Sequence, residues 1–289
     1  MVVHFLRMVG IISLLVLGMV YPFLPGAYDG LAVSLSTIAQ LSGVVGVLLV
    51  PIGALWLVYE LRKRAHKKQN LPHKERGYYF AMASLIAASI LAMLVFLLTF
   101  LGISISFGVL LFALWYYAVS TLISRLKSLK KAESENINPT PLYLIFIPIA
   151  VLLFQLTLAP RATEFSRNYA IEHSAEFISD IEAYRDANGR YPSSLLATWK
   201  DYYPSVVGIE KFHYAPNGDA YNLFFEQPRF LLDNLGTREF VVYNPLDEHM
   251  IISHTSWILL LPPEELVVTQ GWYAVHDTPS PHWKYFWFD

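Results

Sequence analysis

LYLIFIPIAVLLFQLTLAPRATEFSRNYAIEHSAEFISDIEAYRDANGRYPSSLL, residues 142–196, decides how the chain is organised. Its first part, Leu142 to Ala159, is an apolar span with Pro148 inside it, where a bend is expected. From Arg161 to Asn188 the pattern changes. Ala170, Ile171, Ser174, Phe177, Ile178, Ile181 and Tyr184 recur at three- and four-residue steps, while Glu172, Glu176, Asp180, Glu182 and Asp186 fall mostly between them. That spacing gives a helix with one buried face. The helix stops at Asn188-Gly189-Arg190-Tyr191-Pro192, a structural turn, because glycine accepts the left-handed conformation that closes a helix and proline cannot continue one. Gly189 is therefore expected at positive φ, and the residues that follow are expected to cover the apolar stripe.

Upstream, the chain reads as membrane. Hydrophobic residues make up 55% of the sequence and charged residues 15%, and the mean hydropathy is +0.40. Phe5 to Tyr21 is apolar behind His4 and Arg7; no small-x-small cleavage site is evident in Val20-Tyr21-Pro22-Phe23-Leu24-Pro25, so a retained span is favoured over a cleaved signal. Pro22, Pro25, Gly26 and Gly30 make the next stretch a turn, and Ile38 to Tyr59 is a second span. Between Arg76 and Arg125 there is no charged residue. One helix of that length would run about 70 Å, more than twice the hydrocarbon thickness. It must fold back, and Gly102-Ile103-Ser104-Ile105-Ser106 is the place, giving spans at 78–101 and 107–123. With 142–159 the expected count is five, as an α-helical bundle over 1–159 followed by an α+β domain over 160–289.

Charge sets an orientation. The part to Ala159 holds 12 Lys+Arg against 5 Asp+Glu and the remainder 9 against 18, or +7 and −9, consistent with different surroundings. Arg62, Lys63, Arg64, Lys67, Lys68, Lys74 and Arg76 fill one loop and Arg125, Lys127, Lys130 and Lys131 another, whereas the loops at 22–37 and 102–106 carry no Lys or Arg. The positive-inside bias makes the basic loops and the N-terminus cytoplasmic and sends residue 160 onward to the periplasmic or extracellular side of a bacterial inner membrane. Lysines beside spans act as orientation anchors in this reading, so no nucleic-acid partner is expected. No ionisable residue lies deep in a span, which argues against ion-coupled transport. Small residues at Ala83, Ser84, Ala87, Ala88, Ser89 and Ala92, and Gly43 and Gly46, are read as close helix packing.

After the turn, short strands are expected. Lys211–Ala215 and Tyr221–Glu226 flank Pro216-Asn217-Gly218-Asp219, a hairpin signal; Glu239–Tyr243 and Met250–His254 flank Asn244-Pro245-Leu246-Asp247-Glu248; a later pair lies at Gly271–His276 and Trp283–Phe288, and Trp257–Leu261 is either strand or buried connection. A helix packed on an antiparallel sheet is an α+β layer, and about 130 residues suffice for one core.

Ile181-Glu182-Ala183-Tyr184-Arg185-Asp186-Ala187-Asn188-Gly189-Arg190-Tyr191-Pro192-Ser193-Ser194-Leu195 resembles the helix exit of type II secretion pseudopilins and type IV pilin-like proteins. Phe212 to Leu223 resembles the strand, turn, strand that follows in that family. The resemblance covers residues 142–226 and implies a membrane helix running into an amphipathic helix with a small antiparallel sheet packed on it. Pro139-Thr140-Pro141-Leu142-Tyr143-Leu144-Ile145 lacks the glycine and glutamate that such subunits need for processing and assembly. A pilin-like module attached to a multi-span membrane protein is the expectation, without cleavage or filament formation.

The search for chemistry yields little. With no Cys, disulfides and thiolate metal sites are excluded. His249 and His254 with Asp247 and Glu248, or His276 and His282 with Asp277, have metal-capable side chains without a ligand spacing known for metal sites. Some pilin-like proteins hold calcium between late strands, and Asn244, Asp247, Glu248 and Asp277 have the hard oxygens for it, so the metal question stays open. Ser253, Ser256 and Ser280 sit in no nucleophile elbow, and a phosphate-cradling glycine loop is missing. Trp272, Tyr273, Trp283, Tyr285, Phe286 and Trp287 are read as strand residues closing the sheet, with sugar stacking or the bilayer interface as the other reading. Catalytic residues and cofactors are therefore not expected. The expected role is a non-catalytic binding or interaction module, with the lipid bilayer and a protein as partners and the oligomeric state open. An accessory subunit of a secretion or envelope apparatus is a second class, and a membrane enzyme or transporter a third. The segment from Arg161 to Asp289 is expected to fold as a soluble unit.

Overall fold

The computed structural model describes residues 2–69, 76–102, 105–129, 138–194, 200–217, 219–233, 237–249 and 273–288. Among the described residues seven α-helices come first: α1 Val2–Val20, α2 Ala32–Gly46, α3 Val50–Lys68, α4 Gly77–Gly102, α5 Ile105–Leu129, α6 Thr140–His173 and α7 Ala175–Asn188. Five strands follow among the described residues: β1 His213–Asn217, β2 Ala220–Gln227, β3 Arg238–Tyr243, β4 Tyr273–Asp277 and β5 Trp283–Phe288. Among the described residues, four helical stretches are long and apolar enough to cross a membrane, Val2–Phe23, Ala32–Lys67, Gly77–Leu97 and Thr140–Asn188; Gly108–Ile123 is apolar and shorter. The chain is a membrane protein by the length and composition of its helices, with an antiparallel sheet at its C-terminal end.

Two compact units emerge, Met1–Met19 with Thr37–Gln155, and Val20–Ser36 with Leu156–Asp289. In the first, glycines let helices approach. A Cβ built on Gly43 would lie 2.7 Å from Val151 Cγ1, one on Gly46 2.9 Å from Pro148 Cβ, and one on Gly53 2.9 Å from Ile145 Cγ1. All three contacts join α2 or α3 to α6. Pro148, expected to bend its span, lies inside the continuous helix α6 and fits the space that Gly46 leaves. Pro51 supplies no N–H, and a 3-10 turn at Val47–Leu49 separates α2 from α3 just before it. Buried polar groups in this unit find each other: Gln155 Nε2 donates to Gln40 Oε1 at 3.0 Å, and Trp56 Nε1 to Glu60 at 3.2 Å. Phe96 packs edge-on against Phe112 and Trp115, which joins α4 to α5.

The second unit is a helix on a sheet. Strand order is β1-β2-β3-β5-β4, every neighbour antiparallel. Alternation along the strands puts Tyr221, Leu223, Phe225, Val241 and Trp283 on one face, where they form a core with Ala170, Ile171, Phe177 and Ile181 of α6 and α7. Phe224, Phe240, Val242 and Phe286 form a buried cluster on the other face. The amphipathic segment is two helices meeting at Ser174, whose hydroxyl donates to the Ile171 carbonyl at 2.6 Å. Tyr184, expected on the buried stripe, is half-buried. β3 pairs with β2 and β5; Met250–His254 and Trp257–Leu261 lie outside the described residues.

The stretch expected as a simple turn between the first two spans is built into this unit. Gly26 N donates to Ser205 O at 2.9 Å, Val207 N to Leu24 O at 3.0 Å, Asp29 N to Val207 O at 2.9 Å and Gly208 N to Pro22 O at 2.8 Å. Phe23, 1% exposed, stacks on Phe230 with centroids 4.5 Å apart. A Cβ on Gly208 would stand 2.6 Å from Pro22, so the approach requires glycine there. A division of the chain at residue 159 therefore leaves part of the sheet domain behind, and Arg161–Asp289 alone lacks the segment that buries Phe230.

Candidate functional site

The turn after α7 is a hub. Gly189 has φ 70 and its N–H donates to Arg185 O at 2.7 Å, the left-handed closure its position calls for. Asn188 Nδ2 donates to Tyr184 O at 2.8 Å, and Arg190 is exposed. Pro192 O accepts from Tyr214 of β1 at 2.8 Å. The chain direction that this sets carries Tyr191 back under the helix, where its hydroxyl accepts from Arg185 at 2.9 Å and its ring meets Tyr221 edge-on at 4.8 Å. Glu182 accepts from Tyr221 at 3.1 Å and from Tyr191 at 3.4 Å. Burial, with Glu182 close by, pushes the Tyr191 and Tyr221 hydroxyls above the ordinary phenol range; burial does the same at Tyr214 and Tyr243. Tyr191, Tyr214 and Tyr221 are thereby held protonated as donors, a locking role rather than an acid or base one.

A second cluster ties α6 to the sheet through charge. Glu239 of β3 is fully buried. Arg167 donates to its Oε1 from Nε at 2.9 Å and Nη2 at 2.6 Å, and Trp287 Nε1 donates to its Oε2 at 2.8 Å. Arg229 stands 3.8 Å from the same carboxylate and 3.3 Å from Asp233. Each guanidinium lies over a ring, Arg167 over Tyr285 at 3.7 Å and Arg229 over Trp287 at 4.3 Å. Cation–π contact and the shared carboxylate together offset the cost of burying the two positive groups. His276 stacks on Tyr285 and meets Trp287 at a tilt; burial holds its ring below the usual histidine value, with Glu239 opposing and Arg167 and Arg229 adding to the push.

The candidate metal ligands are dispersed or already employed. Asn244 Oδ1 accepts from Leu246 N at 2.9 Å and Glu248 N at 3.2 Å, while its Nδ2 donates to Asn222 Oδ1 at 3.0 Å and Glu248 O at 2.9 Å. Asparagine thereby closes the β3 exit loop with all of its side-chain hydrogen-bonding capacity. His249 lies 3.0 Å from His282 O and 3.2 Å from Asp247 O. Both partners only accept, so a neutral ring satisfies one of them; burial nevertheless keeps the ring's pKa low, against the pull of the two carbonyls. Asp247 pairs with His282 at 3.1 Å, and exposed Asp277 with Lys284 at 3.6 Å. His276 stands apart from this loop on the helix-facing side of the sheet. His254, Ser253, Ser256 and Trp272 lie outside the described residues, and among the described residues no three His, Asp or Glu side chains converge to hold a metal. Ser280 offers its carbonyl to Thr278.

Arg167, Arg229 and Glu239 escaped the sequence reading. Their signal was present: Thr163, Ser166, Arg167 and Ala170 share one helical face, so a charged residue stood on the stripe, and Glu239 alternates with inward Val241 and Tyr243.

No family model, curated protein or solved structure matches this chain. Fold and site thus define a class only, a membrane protein of apolar helices with a C-terminal antiparallel sheet domain.

Proposed function

We propose that this chain is a five-span protein of a bacterial inner membrane that presents a pilin-like, non-catalytic binding or interaction module on the periplasmic or extracellular side. The carrying observation is the way polar side chains are used. Arg167 and Arg229 are neutralised by Glu239 and Asp233, Glu182 and Arg185 fasten the tyrosines of the turn, and Asn244 and His249 serve backbone groups. None of these sets pairs a nucleophile with a base. This reading counts as a span the segment expected at 107–123, which is the apolar helix Gly108–Ile123, shorter than the four long ones and continuous within α5. The pilin-like reading draws support from the long helix, the left-handed Gly189 exit and the antiparallel sheet packed on the helix. Fold likeness carries no activity, so the partner class remains a protein at the sheet domain.

Cysteines introduced singly at Lys68, Lys127 and Asp219 of this cysteine-free chain test the topology in intact cells with a membrane-impermeant thiol reagent. Labelling at 219 alone is expected; labelling at 68 and not at 219 reverses the orientation. Turnover of envelope-type substrates by the purified protein, lost on His249→Ala or His276→Ala, would replace the binding module with an enzyme.

A further inference from the structure

A cavity of about 360 Å³ opens beside the connection between the first two spans. One wall is Tyr28, half-exposed, and Val33, in the first turn of α2. Both positions are constrained by the membrane: residues 24–31 are all that separates the apolar stretch ending at Phe23 from the one beginning at Ala32. The cavity therefore opens at the bilayer surface, the depth at which tyrosines concentrate and headgroup phosphates lie.

The opposite wall carries charge. Lys211 and Arg238 line it together with Glu210 and Glu226, two positive charges against two negative ones, and Arg229 lines it too with its own charge already met by Asp233 and Glu239. Glu226 engages Arg238 by two hydrogen bonds, 2.8 and 2.6 Å. Lys211 reaches only Glu210, at 3.8 Å, and its side chain is 56% exposed. The Arg229 side chain is 6% exposed and committed: Nη1 donates to Thr237 Oγ1 at 2.5 Å, Nη2 pairs with Asp233 at 3.3 Å and Nε faces Glu239 at 3.8 Å. The Lys211 ammonium is thus the weakly engaged donor of this wall, beside an apolar wall that leads into a membrane span.

We infer that this cavity binds the phosphodiester headgroup of an anionic phospholipid, Lys211 and Arg238 meeting the phosphate while Tyr28 and Val33 pack against the glycerol end of the acyl chains. A guanidinium presents parallel N–H groups that match two phosphate oxygens, and an ammonium adds a mobile point charge. Bound there, the lipid would fasten the sheet domain to the leaflet beside it. The inference is independent of the binding-module reading, since it concerns the membrane-proximal rim.

The full-length protein, delipidated in detergent, is titrated with phosphatidylglycerol and phosphatidylcholine and the retained lipid counted by native mass spectrometry, with inorganic phosphate in a parallel arm. Preferential retention of phosphatidylglycerol is expected, weakened roughly five- to tenfold by Lys211→Glu. Lys211→Gln, at an exposed side chain that no packing depends on, gives a smaller loss with unchanged melting. Equal retention of both lipids, or retention untouched by Lys211→Glu, overturns the inference. Uptake of inorganic phosphate with no lipid preference overturns the lipid identity and leaves a free-anion site. None of these outcomes touches the labelling test of topology.

Discussion

The helical unit and the sheet domain are both tightly packed, but by different means. Between Thr37 and Gln155, α2 and α3 meet α6 where Gly43, Gly46 and Gly53 lack side chains. In the sheet domain the same helix α6 meets its neighbours through Arg167, Ser166 and Ala170, against rings and a buried carboxylate. Lipid is as apolar as leucine, so helices in it gain little by hiding apolar surface and gain mainly by close contact. In water the apolar stripe of α7 is itself the driving force, and large rings supply the most buried area. One continuous helix thus changes its manner of packing partway along its length.

The contrast breaks most readily at Glu239. Glu239→Ala leaves two buried guanidiniums without their shared carboxylate and should destabilise the protein by about 3–5 kcal/mol in denaturant titration. Glu226→Ala, which removes the exposed partner of Arg238, should cost about 1 kcal/mol or less. Equal losses would mean that water reaches Glu239.

Phe23 tests whether the connection between spans belongs to the sheet domain. Phe23→Ala should cost about 3 kcal/mol, because it empties the stack on Phe230, while Leu24→Ala, at a 38% exposed position, should cost under about 1 kcal/mol. By the same logic, residues 161–289 expressed alone should aggregate, and appending residues 20–31 should raise their solubility. A fully soluble, cooperatively melting 161–289 fragment would show the connection to be dispensable.

Gly46 probes the other side of the comparison. Gly46→Leu drives a side chain into Pro148 and should cost about 1–3 kcal/mol, read as detergent-solubilised thermal stability. Gly10→Leu meets nothing within 4 Å and serves as the neutral control.

Gly189→Val forces a β-branched residue to φ 70 and should cost on the order of 1 kcal/mol or more, confined to the sheet domain. An unchanged melting temperature would show that the turn relaxes freely.

The smallest effect is one of pH. Burial holds His213, His249 and His276 below the ordinary histidine range, so each folded pKa lies under its unfolded value. Their contribution is complete above about pH 6.5 and is lost as pH falls through that value toward the folded pKa values. The denaturation midpoint of the sheet domain should drop between pH 7.5 and 5.5, and a flat midpoint would show the three rings to be freely hydrated.

Periodicity and composition alone were enough to mark the apolar helices, the stripe Ala170, Ile171, Phe177 and Ile181, the helix stop at Gly189 and most of the strands, since each depends on residues a few positions apart. Strand order and register were not legible, because β3 pairs with β5 across forty residues and no local pattern encodes that partner. Nor was the fate of Asn244: its oxygens suit a cation as well as a loop, and only the positions of Leu246, Glu248 and Asn222 decided for the loop. The ion cluster at Glu239 and the docking of Phe23 were likewise tertiary decisions. A buried charge or an apolar loop residue acquires its meaning from the partner opposite, and that partner is fixed by the folded chain, in these cases 72 positions away for Arg167 and 207 for Phe23.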